Sequence, residues 1–243
     1  MHNYRFVDHY QVLLIDVCST LMFDHDRFGP QEDYSIAYAH LSGNLLSRQQ
    51  LTAIIQRMFV DIVNAENQEA HFDPFPSLRD FLLAADLPPG LPEDELRRIE
   101  MVFALHECGR IPPAIADAVL ALSETHPLGI VSNIWSLTSV FEAELERARI
   151  KDLFQVRVWS SDYGCIKPAE RIFFTALEYF DAPRQKVLYV GDTFKRDVYG
   201  AKRLGLHAAW VNPNGNPPPA EFGVQPDIVI RTVTDLLARE KGG

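Results

Sequence analysis

Short apolar runs alternate with longer amphipathic segments along much of this chain. The runs occupy residues 12–15, 128–131, 156–159, 187–190, 208–211 and 228–230. Continuous runs of this length, rich in β-branched residues, are typical of strands buried on both faces of a parallel sheet. Most of the segments between them are long enough for a helix and have helical apolar spacing. The pattern predicts a doubly wound, Rossmann-like α/β core.

The connection between the first two predicted strands is much longer than the others. Residues 24–111 contain no comparable strand, but residues 34–46, 51–63, 78–85 and 96–105 have the spacing of amphipathic helices. A crossover of this length is too large for a single loop. We therefore expect a core formed by residues 1–23 and 112–243, with a helical domain inserted at residues 24–111.

Composition narrows the possible partners. The 243 residues carry a formal net charge of -10 without a Lys/Arg-rich run, which argues against binding to nucleic acid or an anionic membrane. A small-molecule substrate fits better. Three cysteines without CxxC spacing favour a reducing cytosol, and we predict no signal peptide or transmembrane helix. We expect a cytoplasmic monomer or homodimer.

Polar residues follow several of the predicted strands. They are Asp16, Ser132, Asn133, Asp192 and Asp197, with Lys167 beyond the third strand. Taken singly, each has an ordinary explanation, such as a helix cap for Asp16 or a solvated surface position for Lys167. Ligands of open α/β sheets, however, bind beyond the carboxyl ends of the strands. Gathered there, carboxylates suit Mg²⁺, and a lysine with amide N–H groups suits a phosphoryl group.

The order of these motifs resembles the haloacid dehalogenase-like hydrolase superfamily. The resemblance covers residues 12–21 and about 128–211: a strand ending in Asp16 with Thr20-Leu21 following, then Ser132-Asn133, Lys167-Pro168 and Gly191-Asp192-x-x-x-x-Asp197. It implies a Rossmann-like core, and the insert looks like the C1-type cap of subfamily I. It also implies a Mg²⁺-dependent phosphatase whose substrate is a small phosphorylated molecule.

The resemblance further implies a role for each matching residue. Asp16 would be the nucleophile that forms an aspartyl phosphate. Mg²⁺ would bind Asp16, the main-chain carbonyl of Cys18 and Asp192, while Asp197 would orient a metal-bound water or Lys167. The phosphate would be held by Ser132, Asn133 and Lys167, with Thr20 bracing the loop. Lys167 would also offset the negative charge of the nucleophile.

Cys18 departs from the family pattern. Phosphatases of the family usually have an aspartate two residues after the nucleophile, where it acts as general acid and then as general base. A positioned general acid is worth roughly 10²–10⁴-fold in rate. A thiol is a weak hydrogen-bond donor, so Cys18 is a poor substitute. We expect good leaving groups to be favoured over alkyl phosphates, and the nearby His25 is a further candidate acid or base.

The same departure leaves other functions open. In 2-haloacid dehalogenases of the family, the aspartate displaces halide without a metal, but Asp192 and Asp197 then have no evident purpose. Phosphonoacetaldehyde hydrolases use a cap lysine, whereas residues 24–110 contain no lysine. A third alternative is a catalytically weak protein that binds a phosphorylated ligand. The intact Asp16 and Asp192 favour an enzyme.

Overall fold

The predicted strands form one six-stranded parallel sheet in the computed structural model, which describes residues 4–239. The strands are β1 (Val12–Ile15), β2 (Leu128–Ser132), β3 (Phe154–Trp159), β4 (Val187–Gly191), β5 (His207–Val211) and β6 (Ile228–Ile230). They lie in the order β3-β2-β1-β4-β5-β6. The predicted Rossmann-like sheet is confirmed, and β1 lies between β2 and β4.

Helices cover the sheet and fill the long connection after β1. They are α1 (Tyr34–His40), α2 (Arg48–Glu66), α3 (Leu78–Ala84), α4 (Glu93–Glu107), α5 (Pro113–Ser123), α6 (Thr138–Arg147), α7 (Ser160–Tyr163), α8 (Glu170–Leu177) and α9 (Gly200–Arg203). A π-helical turn, Phe194–Tyr199, leads directly into α9. Within the described residues, no helix is both long enough and apolar enough to cross a bilayer.

The central strand β1 is buried on both faces, as its continuous apolar run predicts. Leu13 and Ile15 belong to the hydrophobic cluster on one side of the sheet, and Val12 and Leu14 belong to the cluster on the other. This division follows from the alternation of side chains along a strand. Asp16, the next residue, is therefore anchored by a strand that packs against both layers.

The four helices α1–α4, here called the cap, share a hydrophobic cluster that also includes Ile166 of the core. Local signals in the sequence begin two of these helices. Ser47 with Gln50 and Ser77 with Asp80 form reciprocal capping boxes at α2 and α3. The boundaries 24–111 given above for an inserted domain stay a prediction.

One predicted helix is wrong in length. The helix expected over residues 34–46 ends at His40. Ser42 has a left-handed backbone (φ 63°), and the Tyr38 hydroxyl accepts hydrogen bonds from the amides of Leu45 and Leu46 at 3.2 and 3.1 Å. The tyrosine thus replaces the helical carbonyl partners of these amides, a contact that apolar spacing does not reveal.

Two connecting segments run side by side between the cap and the core. The amide of Phe23 donates to the carbonyl of Arg110 at 2.8 Å, and the amide of Arg110 donates to the carbonyl of Phe23 at 2.7 Å. The buried carboxylate of Glu144 on α6 accepts from the amide of Ile111 at 2.7 Å and pairs with the Arg110 guanidinium at 2.8 Å. These contacts fix where the cap meets the sheet.

Replacing Leu14 with alanine should test the central position of β1. Leu14 is fully buried, so the substitution leaves a cavity and should cost about 2–5 kcal/mol of unfolding free energy. Urea unfolding measures the loss. Leu83→Ala is the matched control, because Leu83 is 58% exposed and should change stability much less. Equal losses in the two variants would contradict this account of the core.

Candidate active site

The strand-end residues singled out from the sequence meet at one edge of the sheet. Asp16 follows β1, Asn133 follows β2, and Asp192 follows β4. All three line one cavity together with Lys167 and Asp197. Side chains separated by up to 181 positions in sequence thus form a single cluster, as the parallel topology predicts.

Lys167 joins the parts of this cluster. Its Nζ donates hydrogen bonds to Asp16 Oδ1 at 2.8 Å, to Asp197 Oδ1 at 2.7 Å and to the Tyr189 hydroxyl at 2.8 Å. The side chain is only 2% exposed. Burial alone would lower the pKa of Lys167, but the charges of Asp16 and Asp197 outweigh it and raise the pKa. Lys167 therefore carries a positive charge in this site. It is buried, and the solvated surface position considered from the sequence is wrong.

Asp16 presents two different carboxylate oxygens. Oδ1 accepts hydrogen bonds from Lys167 Nζ and from the Ser132 hydroxyl, the latter at 2.7 Å. Among the described residues, Oδ2 receives no comparable hydrogen bond. The carboxylate is thus held through one oxygen, and the other is available to an incoming ligand.

Three carboxylates form the acidic side of the cavity. One oxygen from each of Asp16, Asp192 and Asp197 can be chosen so that all three lie within 4.8 Å of one another. Burial, with the charges of Asp197 and Asp16, raises the pKa of Asp192 to about 7. A single lysine does not balance three such groups. The carboxylates repel one another, and a divalent cation between them would offset this repulsion. Oxygen ligands of this kind suit a hard cation such as Mg²⁺.

Asp197 is more constrained than the other two acids. It is buried, Oδ1 accepts from Lys167, and Oδ2 accepts from the amide of Thr193 at 2.8 Å. Gly191 makes this position possible, since a Cβ at residue 191 would lie 2.4 Å from Asp197 Cγ. The glycine of the Gly-Asp pair is therefore needed for packing. Asp197 is better placed to orient Lys167 than to offer a free ligand oxygen.

The remaining predicted phosphate-binding residues occupy different positions. Asn133 Oδ1 accepts from the Lys167 amide at 2.8 Å, which ties the β2 loop to the lysine segment. Ser132 is directed at Asp16, as described above. Thr20 is fully buried, and no hydrogen bond to its hydroxyl is present among the described residues. The structure does not bring Thr20 to the cavity, so its position fits bracing of the loop and lends no support to phosphate contact.

Cys18 lines the cavity on the same loop as Asp16. Burial and the charges of Asp16, Asp26 and Glu107 raise the pKa of the thiol well above its usual value. The sulfur is therefore protonated and uncharged at neutral pH. A neutral thiol is a weak donor, which agrees with the limited role expected of it.

The cap-facing side of the cavity contains residues that the strand-end motifs do not indicate. Trp135 and Arg196 of the core both donate to Glu66 Oε1 at the end of α2, at 2.9 and 3.1 Å. Glu107, at the end of α4, accepts from the amide of Trp135 at 2.6 Å. Tyr189, the partner of Lys167, was likewise missed, because a tyrosine inside a buried strand resembles ordinary core.

His25 also reaches the cavity. Its Nε2 lies 2.8 Å from the Ser19 hydroxyl, and its Nδ1 lies 2.9 Å from Asp26 Oδ2. The interaction with Asp26 raises the pKa of His25. Both ring nitrogens thus have neighbours within the loop.

Known proteins with similar sequences include hydrolases. A sequence model described as haloacid dehalogenase-like hydrolase matches residues 100–211. Pyrimidine 5'-nucleotidase YjjG of Escherichia coli (strain K12) is 32% identical over 130 residues, which are 53% of this chain and 56% of YjjG. Phosphoserine phosphatase of Thermus thermophilus is 26% identical over 164 residues, 67% of this chain and 64% of that protein. The chain spans about half the length of YjjG and of similar relatives.

Solved structures share the fold over nearly the whole chain. The 2-haloacid dehalogenase of Pseudomonas syringae superposes with a TM-score of 0.66 at 19% identity, covering 94% of this chain and 96% of that one. The HAD-hydrolase YfnB of Bacillus subtilis, bound to magnesium, superposes with a TM-score of 0.58 at 20% identity, covering 93% and 96%. These structures show the fold, and over residues 100–211 the sequence of this chain is similar to haloacid dehalogenase-like hydrolases.

The contact between Gly191 and Asp197 can be tested by adding one methyl group. Gly191→Ala would force Asp197 from Lys167, and overpacking of this kind typically costs about 1–3 kcal/mol. We expect the melting temperature to fall by several degrees. Gly29→Ala is the control, because a Cβ at residue 29 meets no atom within 4 Å. An unchanged melting temperature in the Gly191 variant would show that Asp197 can move aside freely.

Proposed function

We propose that this protein is a Mg²⁺-dependent phosphatase that hydrolyses small phosphate monoesters through an aspartyl phosphate on Asp16. The observation that carries the proposal is the arrangement of Asp16. Its Oδ1 is held by Lys167 and Ser132, while Asp192 lies close enough to share a cation with Asp16, and Asp197 lies beside them. The names of the curated relatives, a nucleotidase and a phosphatase, support the same chemistry.

In the first half of the reaction, Asp16 Oδ2 attacks the phosphorus atom and the bond to the leaving-group oxygen breaks. Lys167 holds the nucleophile in place and offsets part of the negative charge. In the second half, water attacks the aspartyl phosphate and frees Asp16. Dividing one displacement into two steps is the general advantage of covalent catalysis.

The cation site would be formed by Asp16, Asp192 and the main-chain carbonyl of Cys18, with Asp197 next to it. When bound, Mg²⁺ would neutralise these acids and stabilise charge on the phosphoryl oxygens. The neighbour YfnB is described as bound to magnesium, which supports this choice of ion. A cytoplasmic location and a monomeric or homodimeric state remain predictions.

Hydrolysis of p-nitrophenyl phosphate, with and without Mg²⁺, tests the function directly. Asp16→Asn removes the nucleophile and should lower kcat by roughly 10³-fold or more, because no other residue takes over covalent catalysis. Asp152→Asn, an exposed aspartate far along the chain, is the control. Mg²⁺-independent turnover, or turnover unchanged in the Asp16 variant, would refute the proposal.

Metal binding should also appear in stability. At 100 times its dissociation constant a ligand stabilises the folded state by about 2.7 kcal/mol, which for this size corresponds to roughly 5–10 °C in melting temperature. Asp192→Asn should abolish this rise. Without Mg²⁺ the variant should melt higher than the wild type, since one of three mutually repelling carboxylates is gone. A wild-type melting temperature that ignores Mg²⁺ would argue against the site.

Dehalogenation is the second candidate. The observation in its favour is Cys18, since the absence of an aspartate at this position is a feature of the dehalogenase pattern. Asp192 and Asp197 count against it, because a reaction without metal has no use for this cluster. Release of halide from 2-chloropropionate in the presence of EDTA, lost in Asp16→Asn, would replace the phosphatase proposal.

A further inference from the structure

Lys167 lies in a short segment of the core that also contacts the cap. This segment, residues 164–169, connects α7 to α8 and is called here the lysine segment. The Nζ atom of Lys167 has its partners in the core, as described above. Ile166, the residue immediately before it, is 1% exposed and packs in the hydrophobic cluster of the cap. Two adjacent residues therefore have partners in different parts of the protein.

The main chain of the lysine segment is also bound to the cap. The amide of Ile166 donates to the carbonyl of Phe72 at 2.9 Å, and the amide of Phe75 donates to the carbonyl of Gly164 at 2.8 Å. Phe72 and Phe75 lie between α2 and α3 and belong to the hydrophobic cluster of the cap. Two backbone hydrogen bonds and one buried side chain thus fix Ile166 relative to the cap.

An ion pair lies next to these contacts. Arg171 on α8 donates to the two carboxylate oxygens of Asp73, at 2.8 and 2.6 Å. The two side chains are 47% and 37% exposed, so water and salt screen the attraction between them. Ile166, in contrast, is removed from water almost completely, and its burial is not weakened by salt. The buried contact is therefore the part of this junction that matters most for the position of the lysine segment.

The core holds the main chain of Lys167 through the side chain of Asn133. Asn133 Oδ1 accepts from the Lys167 amide at 2.8 Å, and Asn133 Nδ2 donates to the Lys167 carbonyl at 3.4 Å, which is a longer contact. The core thus provides the partners of Lys167 itself. The cap provides the partners of the residue before it, so the backbone that leads into Lys167 is fixed from both sides.

The ammonium group depends on this backbone position because it makes three hydrogen bonds at once. Nζ lies 2.7–2.8 Å from oxygens of Asp16, Tyr189 and Asp197. The four-carbon stem of a lysine is flexible and does not fix the ammonium group by itself. Groups of an active site must be held to within roughly 0.5 Å by their surroundings. A shift of the lysine segment would therefore reach the Asp16 carboxylate through Lys167.

We propose that Ile166 is a positioning residue through which the cap holds Lys167 against the nucleophile Asp16. Its effect on rate rests on the proposed phosphatase function, whereas the contact with the cap can be tested without turnover. Ile166 is not among the residues that line the cavity. It acts by fixing the backbone from which Lys167 reaches Asp16, so that hydrolysis depends on the seating of the cap at this junction.

Ile166→Ala removes the buried side chain and leaves both backbone hydrogen bonds possible. With Mg²⁺ and p-nitrophenyl phosphate, we expect kcat to fall about 10-fold or more, since a misplacement of about 1 Å can cost roughly 10²-fold. Ile166→Val keeps most of the buried side chain and should recover most of this loss. An unchanged kcat in Ile166→Ala would overturn the inference.

Ile55→Ala is the matched control. Ile55 is a fully buried isoleucine of the same cluster, but it lies in α2 and does not line the cavity. Its truncation should lower the melting temperature about as much as Ile166→Ala does, because both leave a cavity in the cap cluster. Its kcat should stay close to that of the wild type. Equal falls of kcat in the two variants would show that any loss of cap packing slows hydrolysis, against a particular role for Ile166.

A double-mutant cycle separates positioning from an independent effect. Lys167→Met removes the ammonium group, keeps an unbranched side chain, and should lower kcat by itself. If Ile166 acts through Lys167, Ile166→Ala should cause no further loss of kcat in the Lys167→Met background. Losses that multiply in the double variant would contradict the proposal.

Hydrogen exchange tests the contact without turnover, and it decides the question even if Lys167→Met does not fold. The amides of Ile166 and Lys167 both have hydrogen-bond partners, so a peptide that contains them should exchange slowly in the wild type. The same peptide should exchange faster in Ile166→Ala and should keep its protection in Ile55→Ala. Full protection in Ile166→Ala would contradict the proposal.

Failure of the proposed function has a different signature. If Asp16→Asn retains hydrolysis of p-nitrophenyl phosphate, the phosphatase proposal fails, while the exchange experiment still decides whether the cap holds the lysine segment. Hydrolysis that depends on Asp16 but is unchanged in Ile166→Ala would leave the phosphatase proposal intact and remove the role of Ile166.

Discussion

The candidate site depends on one buried ammonium group. Lys167 Nζ lies between Asp16 after β1 and Asp197 beyond β4, and the Tyr189 hydroxyl completes its partners. A charge that is 2% exposed is tolerated only because each of its hydrogen bonds is satisfied. The same contact holds the nucleophile loop against the π-helical turn. With three carboxylates around one lysine, the cluster keeps an excess of negative charge that a divalent cation would offset.

This arrangement explains which residues could be found from sequence. The strands are continuous apolar runs, and parallel topology brings their ends together, so Asp16, Asp192 and Lys167 can be placed near one another from the pattern alone. Gly191 and Asp197 were found as a motif, but the reason for the glycine, its contact with the Asp197 side chain, needs coordinates. Sequence patterns were therefore sufficient to place the site residues whose positions follow from the order and direction of the strands.

The cap side of the cavity could not be derived in the same way. Glu66 and Glu107 end two amphipathic helices, and apolar spacing describes the buried face of a helix but not which terminal acid points into a neighbouring cavity. Trp135 lies in the loop after β2 and Arg196 in the π-helical turn, 69 and 130 positions from Glu66. Similarly, α1 ends early because Tyr38 captures two amides of the next turn. All of these are long-range or side-chain contacts without a periodic signal.

The two sides of the cavity are held in different ways. On the core side, the side chains of Asp16 and Lys167 are fixed by the sheet and by each other. On the cap side, Glu107 belongs to α4, and its place is set by the Trp135 amide and by the paired segments at Phe23 and Arg110. The nucleophile and its lysine side chain are thus held by the core, whereas the cap-facing wall of the cavity depends on contacts between the two connecting segments.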